Sequence, residues 1–434
     1  MIWVWIAAAV FLSWILCDKH IPWYHYIWML LPIEMYGVSV AGATLKPYML
    51  YGFAIIAYAI IKNRGIKLPV SILIVVIFLL LSDAVNGLIM GSIMQHLMFL
   101  MILFIAFEYL IAQKKTIQLE EISKVAVATT IGYGAVFSVA SILFKMGIVL
   151  PAVYTTDRYS TGMIMAFLSA GGLYSNRLRG FSIDPNIVYT TLIPGAAFAL
   201  ANILYLDREK RKSYLAIILY CAVVYFSGSR MGMLSFAFML TIMFAIGYKE
   251  SKNKKAWLFM MMISILGMLI IVVRSEEMIV NFFTDIYGFF TSRASLTSRK
   301  GRFGIWKTNF GYLIDNSELL FGVGQNQILN FSILGKPCHN TWLEWICGTG
   351  IFIGTGICLW FFTAPHIIKM KCVKKEINFK HSYQPVVIAY WIVVLGITSV
   401  DNITNSILLF LMVLFRYGYV ETLNNQISED NKNG

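Results

Sequence analysis

His339-Asn340 stands immediately before Thr341-Trp-Leu-Glu344, a capping-box pattern that opens an apolar run. With Thr341 as the expected N-cap, His339 lies just outside a helix N-terminus. The positive end of the helix dipole disfavours imidazolium there and keeps the ring neutral near pH 7. A neutral imidazole can accept a proton from a sugar hydroxyl. The alternative role is that of a loop residue held by hydrogen bonds. The other five histidines have poorer surroundings: His20 and His25 fall in an early aromatic loop, His96 begins an apolar run, and His366 and His381 border a lysine-rich loop. Cys338 invites a Cys–His nucleophile, but no orienting acid is evident nearby, so acid/base work by His339 is the preferred chemistry.

Arginines supply the second chemical signal. In Arg177-Leu-Arg-Gly-Phe-Ser-Ile-Asp-Pro-Asn186, Asp184 followed by Pro185 reads as N-cap and first helical residue. Arg177 and Arg179 therefore sit ahead of a helix N-terminus, where free N–H groups already favour anions. Pairing with Asp184 to fix the loop is the competing role. Ser227-Gly-Ser-Arg230 separates two apolar runs with almost no loop, so Arg230 lies at the interface or dips into the bundle. An ionisable residue at that depth is a functional candidate, with snorkelling as the alternative. Arg293, Arg299, Lys300, Arg302 and Lys307 surround Gly304-Ile-Trp306, and Arg299 and Arg302 share a face if the stretch is helical. A solvated charged face is the ordinary alternative. Gly322-Val-Gly324 is a turn signal without the strand–turn–helix setting of a nucleotide loop, so no cofactor is expected.

The elements that carry these residues are apolar. Of 434 residues, 59% are hydrophobic and 13% charged, against about 25% charged in soluble domains. The predicted class is all-α: a polytopic helical membrane protein with about twelve spanning helices, fourteen possible, and a long, partly helical external loop. Whole-segment apolar runs exclude a transmembrane barrel. The runs fall at 2–17, 47–61, 68–82, 96–112, 125–149, 186–206, 213–228, 231–248, 256–273, 342–363, 384–400 and 403–419. Two more, 22–45 and 160–174, are broken and read as interfacial or re-entrant. The first run lacks the marks of a cleaved signal peptide and reads as a retained helix. The six cysteines show no metal-ligand spacing and read as buried small hydrophobes, and no metal site is expected.

Lysine-rich loops at Lys62–Lys67, Lys114–Lys124, Asp207–Lys212, Lys249–Lys255 and Lys369–Lys380 are separated by even numbers of helices. The positive-inside rule puts all five in the cytoplasm, and with them both termini. That asymmetry accounts for much of the net charge of +13, and no nucleic-acid partner is implied. Two long connections on the other side, 150–185 and 274–341, instead concentrate arginine. Guanidinium groups bind phosphate bidentately and never lose their charge, so an anionic, membrane-borne ligand such as a lipid diphosphate is expected. Contact with lipid headgroups is the alternative for any single arginine. Asp83, Asn86, Asp401, Asn402 and Asn405 fall in short external turns, where they either line a glycan groove or cap helices.

In their order, RLRGFSIDPN (177–186), SGSR (227–230), RKGRFGIW (299–306), GVGQNQ (322–327) and HNTWLEWICGTGIFIG (339–354) resemble the O-antigen ligase/polymerase superfamily. The resemblance covers 177–363, which it marks as the catalytic region containing the external loop 274–341. Residues 1–176 and 364–423 are flanking transmembrane helices, and 424–434 reads as a disordered tail. The resemblance implies a polytopic glycosyltransferase of the bacterial inner membrane, facing the periplasm and using undecaprenyl-diphosphate-linked oligosaccharide without a metal. It implies Arg230 and Arg302 as principal diphosphate ligands, Arg179, Arg299 and Arg177 in support, His339 as acid/base, and Asn340 and Asp184 as supporting residues. A polymerase joining repeat units is the expected member, with a chain-length regulator as a possible partner and membrane lipid around it. A ligase that passes the glycan to lipid A core is the alternative within the superfamily. From another class, a flippase for the same lipid needs arginines too, but transporters show internal repeats and helices broken at midplane, and no repeat relates the two halves here.

Overall fold

The computed structural model describes residues 2–34, 36–40, 43–63, 65, 68–146, 178, 180–181, 185–247, 254–256, 258–259, 262, 302–335, 337–338, 340–377, 383–398 and 406–420. Helices α1 (Ile2–Leu16), α2 (Pro47–Asn63), α3 (Val70–Val85), α4 (Met90–Ala112) and α5 (Leu119–Lys145) come first. Next are α6 (Pro185–Ala201), which continues as a π turn over Asn202–Leu206, α7 (Lys210–Ser227) and α8 (Arg230–Gly247). The C-terminal part holds α9 (Arg302–Asp315), α10 (Ile328–Phe331), α11 (Thr341–Thr349), α12 (Ile351–Lys374), α13 (Gln384–Thr398) and α14 (Ser406–Tyr417). The only sheet among the described residues is a hairpin of two three-residue strands, β1 (Val38–Val40) and β2 (Ala43–Leu45), with Ser39 opposite Thr44. The all-α expectation is met apart from this hairpin, and the protein is a multi-pass membrane protein.

Among the described residues, four helices are long and apolar enough to cross a bilayer: Met90–Ala112, Leu119–Leu143, Val188–Leu206 and Ile351–Lys374. Shorter apolar helices are Trp3–Leu16, Pro47–Lys62, Val70–Val85, Gln384–Val394 and Ser406–Tyr417. By this measure the described residues do not reach the expected twelve. A 15-residue helix such as α1 rises about 22 Å, against about 30 Å of hydrocarbon. The broken segment 160–174 and most of the crossing expected at 256–273 lie outside the described residues, as does the tail 424–434.

The span of α6 is buried along its whole length and that of α5 over most of it, whereas α4 and α12 keep more than half of theirs at the surface. Apolar attraction between helices is absent in lipid, so close packing and interhelical hydrogen bonds replace it. Accordingly, α6 presents the small residues Gly195, Ala196, Ala197 and Ala199, and Thr130 of α5 donates to Leu192 O of α6 at 3.2 Å.

Among the described residues, three of the lysine-rich loops, at 114–124, 207–212 and 369–377, gather at one end. Arg208 pairs with Glu120 at 3.0 Å, and Lys371 donates to Gly418 O at 2.7 Å. Tyr419 N donates to Lys115 O, which brings the end of α14 to the turn before α5. One expectation is overturned here. Lys212 donates to Leu16 O at 2.9 Å, and Lys124 lies 3.9 Å from Asp18, so the C-terminal end of α1 sits among the lysine-rich loops. Helix α1 therefore starts at the other end, opposite to the placement expected for the N-terminus.

The segment after α1 then has to return. His25 bonds to Gln118 and Tyr109 near the lysine-rich end, Tyr133 donates to Met29 O in the middle, and Glu34 accepts from Ser406 N at 2.7 Å at the far end. Residues 22–36 thus traverse the bundle as 3-10 turns, Trp23–Met29 and Leu31–Ile33, and not as an interfacial piece. Non-helical backbone is tolerated at membrane depth only inside protein. His25, Ile27, Leu31 and Ile33 are all at most 1% exposed, which satisfies that condition.

Candidate functional site

Of the candidate residues, Arg230 and Arg302 each start a helix, at the end opposite the lysine-rich loops. In Ser227-Gly-Ser-Arg230, Gly228 closes α7 with φ +56°, a conformation that carries no Cβ penalty only for glycine. Ser229 then caps α8 by accepting from Gly232 N at 3.0 Å, which leaves Arg230 as the first residue of α8. Arg302 is likewise the first residue of α9. Pro185 opens α6, as expected of a proline after an N-cap acid. Free N–H groups at such positions favour anions.

Backbone contacts group the motifs into two sets. Leu178 N donates to Phe226 O at 3.2 Å, so Leu178 lies beside the turn that leads to Arg230. In the second set, Val323 N and Gly324 N donate to Cys347 O and Gly348 O, laying the Gly-Val-Gly turn against the end of α11. Trp306 Nε1 donates to Cys338 O at 2.7 Å and joins α9 to the residue before His339. Helix α13 packs against α6, α8 and α11, and so touches both sets.

The chain on either side of position 339 is fixed. Asn340 caps α11, its side chain accepting from Leu343 N at 3.1 Å. The expected cap, Thr341, instead becomes the first helical residue and is fully buried. Asparagine outranks threonine as an N-cap, and the cap moves one residue earlier. Glu344 still reaches back, but to Cys338 N at 2.9 Å. A carboxylate therefore stands close to the His-Asn pair where none was evident from the sequence.

Cys338 and Cys347 are buried with their sulfurs 3.6 Å apart, and Asn309 Nδ2 bonds to Cys338 Sγ at 3.3 Å. The hydrogen bond that the Cys347 thiol makes to the Cys338 sulfur, reinforced by burial, pushes the Cys347 thiol well above its usual range. That thiol is protonated and inert as a nucleophile. The apolar run expected at 342–363 is broken at Gly350, whose φ of +86° turns α11 into α12.

The structure adds a buried polar cluster that the sequence ranked low. His96 Nδ1 donates to Asp83 Oδ2 at 2.8 Å across the α3–α4 turn. Ser92 Oγ donates to Asp83 Oδ1 and accepts from Gln325 N, both at 2.8 Å. The His96 ring stacks on Trp345 of α11 at 6.2 Å, and Asn86 donates to Phe321 O at 3.2 Å. Among the described residues, His96 Nε2 and both amide atoms of Gln325 are buried without a hydrogen-bond partner. With Nδ1–H held by the carboxylate, Nε2 presents a lone pair. Asp83 and His96 lie on helices joined by a very short turn, a spacing that could have flagged the pair.

Arg177, Arg179, Asp184, Arg299 and His339 lie outside the described residues, as do Asp401, Asn402 and Asn405. Arg230 and Arg302 are described as helix starts only. Among the described residues no group of three or more His, Cys, Asp or Glu is placed to hold a metal ion.

No curated protein matches the chain. A family model described as O-antigen ligase matches residues 215–358, a stretch that includes Arg230, Arg299, Arg302, His339 and Asn340 and leaves out Arg177, Arg179 and Asp184. Over that third of the sequence, from α7 to the first turns of α12, the chain is similar to the O-antigen ligase/polymerase superfamily.

Proposed function

We propose that the protein is a membrane glycosyltransferase that polymerises undecaprenyl-diphosphate-linked oligosaccharide repeat units at the periplasmic face of the bacterial inner membrane. The family match over 215–358 carries this reading, because Arg230, Arg299, Arg302 and His339 fall inside it. Arg230 and Arg302 hold the donor diphosphate. Their positions as first residues of α8 and α9 support this, since guanidinium and helix N–H groups reinforce one another there. Arg179 and Arg299 assist, with Arg177 beside them.

His339 takes the proton of the acceptor sugar hydroxyl as its oxygen attacks the anomeric carbon of the donor. The bond from that carbon to the diphosphate oxygen breaks, and polyprenyl diphosphate leaves with the electron pair. The arginines stabilise the charge that grows on the leaving group. The Asn340 cap and the Glu344 contact to Cys338 N hold the backbone on either side of the base. Asp184 helps orient the Arg177–Arg179 segment.

The family description favours a second reading, transfer of the finished glycan to lipid A core. Purified protein given only undecaprenyl-diphosphate-linked repeat units separates the two. Polymerase activity yields a ladder on a gel, lost in His339→Ala and Arg302→Ala. Product that forms only when lipid A core is added assigns a ligase. No product with either acceptor removes the transferase reading and brings a lipid-linked glycan transporter forward.

A further inference from the structure

A cavity of about 320 Å³ lies at the lysine-rich end, opposite the candidate site. Lys115 from the α4–α5 turn, Lys371 from α12 and Arg416 from the end of α14 converge on it, together with Phe107, Tyr417 and Tyr419. No carboxylate lines it, and none of the three cations forms an ion pair among the described residues. Their described partners are neutral. Lys371 Nζ donates to Arg416 O at 2.8 Å and Gly418 O at 2.7 Å, and Arg416 donates to Trp360 O at 3.0 Å and Thr363 Oγ1 at 2.9 Å. Three like charges on one small cavity repel one another, and only neutral carbonyls, a hydroxyl and the rings of Tyr419 and Trp360 face Lys371 and Arg416. Snorkelling does not account for the arrangement, because Lys371 and Arg416 turn inward to backbone carbonyls instead of extending to water.

The chemistry that completes such a site is a phosphate: a guanidinium fork and two ammonium groups match its oxygens. The volume is at the low end of ligand pockets, about 300–1,000 Å³, which admits a headgroup and leaves the acyl chains outside. The surroundings supply a place for those chains. Leu68 and Pro69 also line the cavity, and α3 begins directly after them with Val70, Leu73 and Ile77 exposed. On the α12 side, Met370 and Val373 are exposed. Tyr419, half exposed at the mouth, is of the type that settles at a membrane–water interface. Basic pockets between helices on a lysine-rich face suit anionic lipid headgroups. We infer that this cavity is a binding site for the phosphate headgroup of an anionic membrane lipid, drawn from the leaflet at the lysine-rich end. The site is separate from the transferase reading and stands or falls without it.

The test uses the full chain, purified in detergent, stripped of lipid, and titrated with phosphatidylglycerol, phosphatidylcholine or inorganic phosphate. Native mass spectrometry and melting temperature are the readouts. Phosphatidylglycerol should bind saturably and raise the melting temperature, and the other two should not. Lys115→Gln and Arg416→Gln should each weaken phosphatidylglycerol binding about fivefold. Arg416 also ties α12 to α14, so its variant can fail to fold; Lys115, whose side chain makes no hydrogen bond among the described residues, then decides the matter. Equal binding of the two lipids, or unchanged affinity in Lys115→Gln, overturns the site. An effect of inorganic phosphate equal to that of phosphatidylglycerol overturns the lipid assignment in favour of a free anion.

Discussion

Asp83 of α3 accepts the Nδ1 hydrogen of His96 of α4 at 2.8 Å, and the pair is buried beneath the turn on which the Gly-Val-Gly loop rests. Through Ser92, the same carboxylate is linked to Gln325, inside the segment that matches the O-antigen ligase family. The N-terminal helices, which carry no motif of their own, thereby buttress the C-terminal half at the end where the candidate residues lie.

Removing one member of that pair should cost nearly as much as removing both. Asp83→Ala leaves His96 Nδ1 and the Ser92 hydroxyl buried without their acceptor, a loss of about 2–3 kcal/mol. In Asp83→Ala/His96→Ala the second truncation should add little, giving a coupling of about 1 kcal/mol or more in a double-mutant cycle. Unfolding in mixed detergent micelles measures both. Strictly additive losses would show that the hydrogen bond contributes nothing.

Asn340 offers a way to separate the helix cap from chemistry. Asn340→Ala removes the acceptor for Leu343 N and should cost about 1 kcal/mol, whereas Asn340→Ser keeps a cap and should stay close to wild type. Because the cap fixes the residue after His339, glycan transfer should fall in the alanine variant and recover in the serine variant. Loss of transfer in both, with stability retained in the serine variant, would instead mean that the amide itself touches substrate.

Much of the helical layout was legible in the sequence, because apolar runs bounded by lysine, proline or glycine carry their own limits. The helix start at Pro185 and the tight α7–α8 turn at Gly228 follow from residue type alone. The passage of residues 22–36 through the bundle did not show, since a segment buried on every side is apolar throughout and loses the periodicity that marks an element. Asn340 and Thr341 are both good caps, and only the backbone chose between them. The Asp83–His96 pair needed the Gly-Val-Gly loop and Trp345 above it before its burial meant anything. Several glycines crowd the run after His339, and nothing local distinguished Gly350 as the one that breaks it.

Gly350 is open to direct test. With φ +86° and ψ 167°, it occupies a region essentially restricted to glycine, and a Cβ there would run into Leu320 O and Phe321 Cα. Gly350→Ala should therefore lose about 3 kcal/mol or more, strain and collision combined. Gly356 also lies within the apolar run but has open space at its Cβ, and Gly356→Ala should be neutral or slightly stabilising. Similar melting temperatures for the two variants would show that the α11–α12 corner is not built as described.

The orientation of α1 has the sharpest consequence for topology. Leu16 and Asp18 are held by Lys212 and Lys124, so the start of α1 and the α6–α7 turn lie at opposite ends of the bundle. The return of the chain through residues 22–36 keeps the later described helices in the orientation that the lysine-rich loops require. An epitope placed before Ile2 and another between Asp207 and Lys210 should then show reciprocal antibody access in sealed vesicles of known sidedness. The tag before Ile2 should be reached only from the side that carries the Ser-Gly-Ser-Arg230 turn. Access to both tags from one side would mean that residues 22–36 do not cross, and that their contacts with Gln118 and Ser406 cannot exist together.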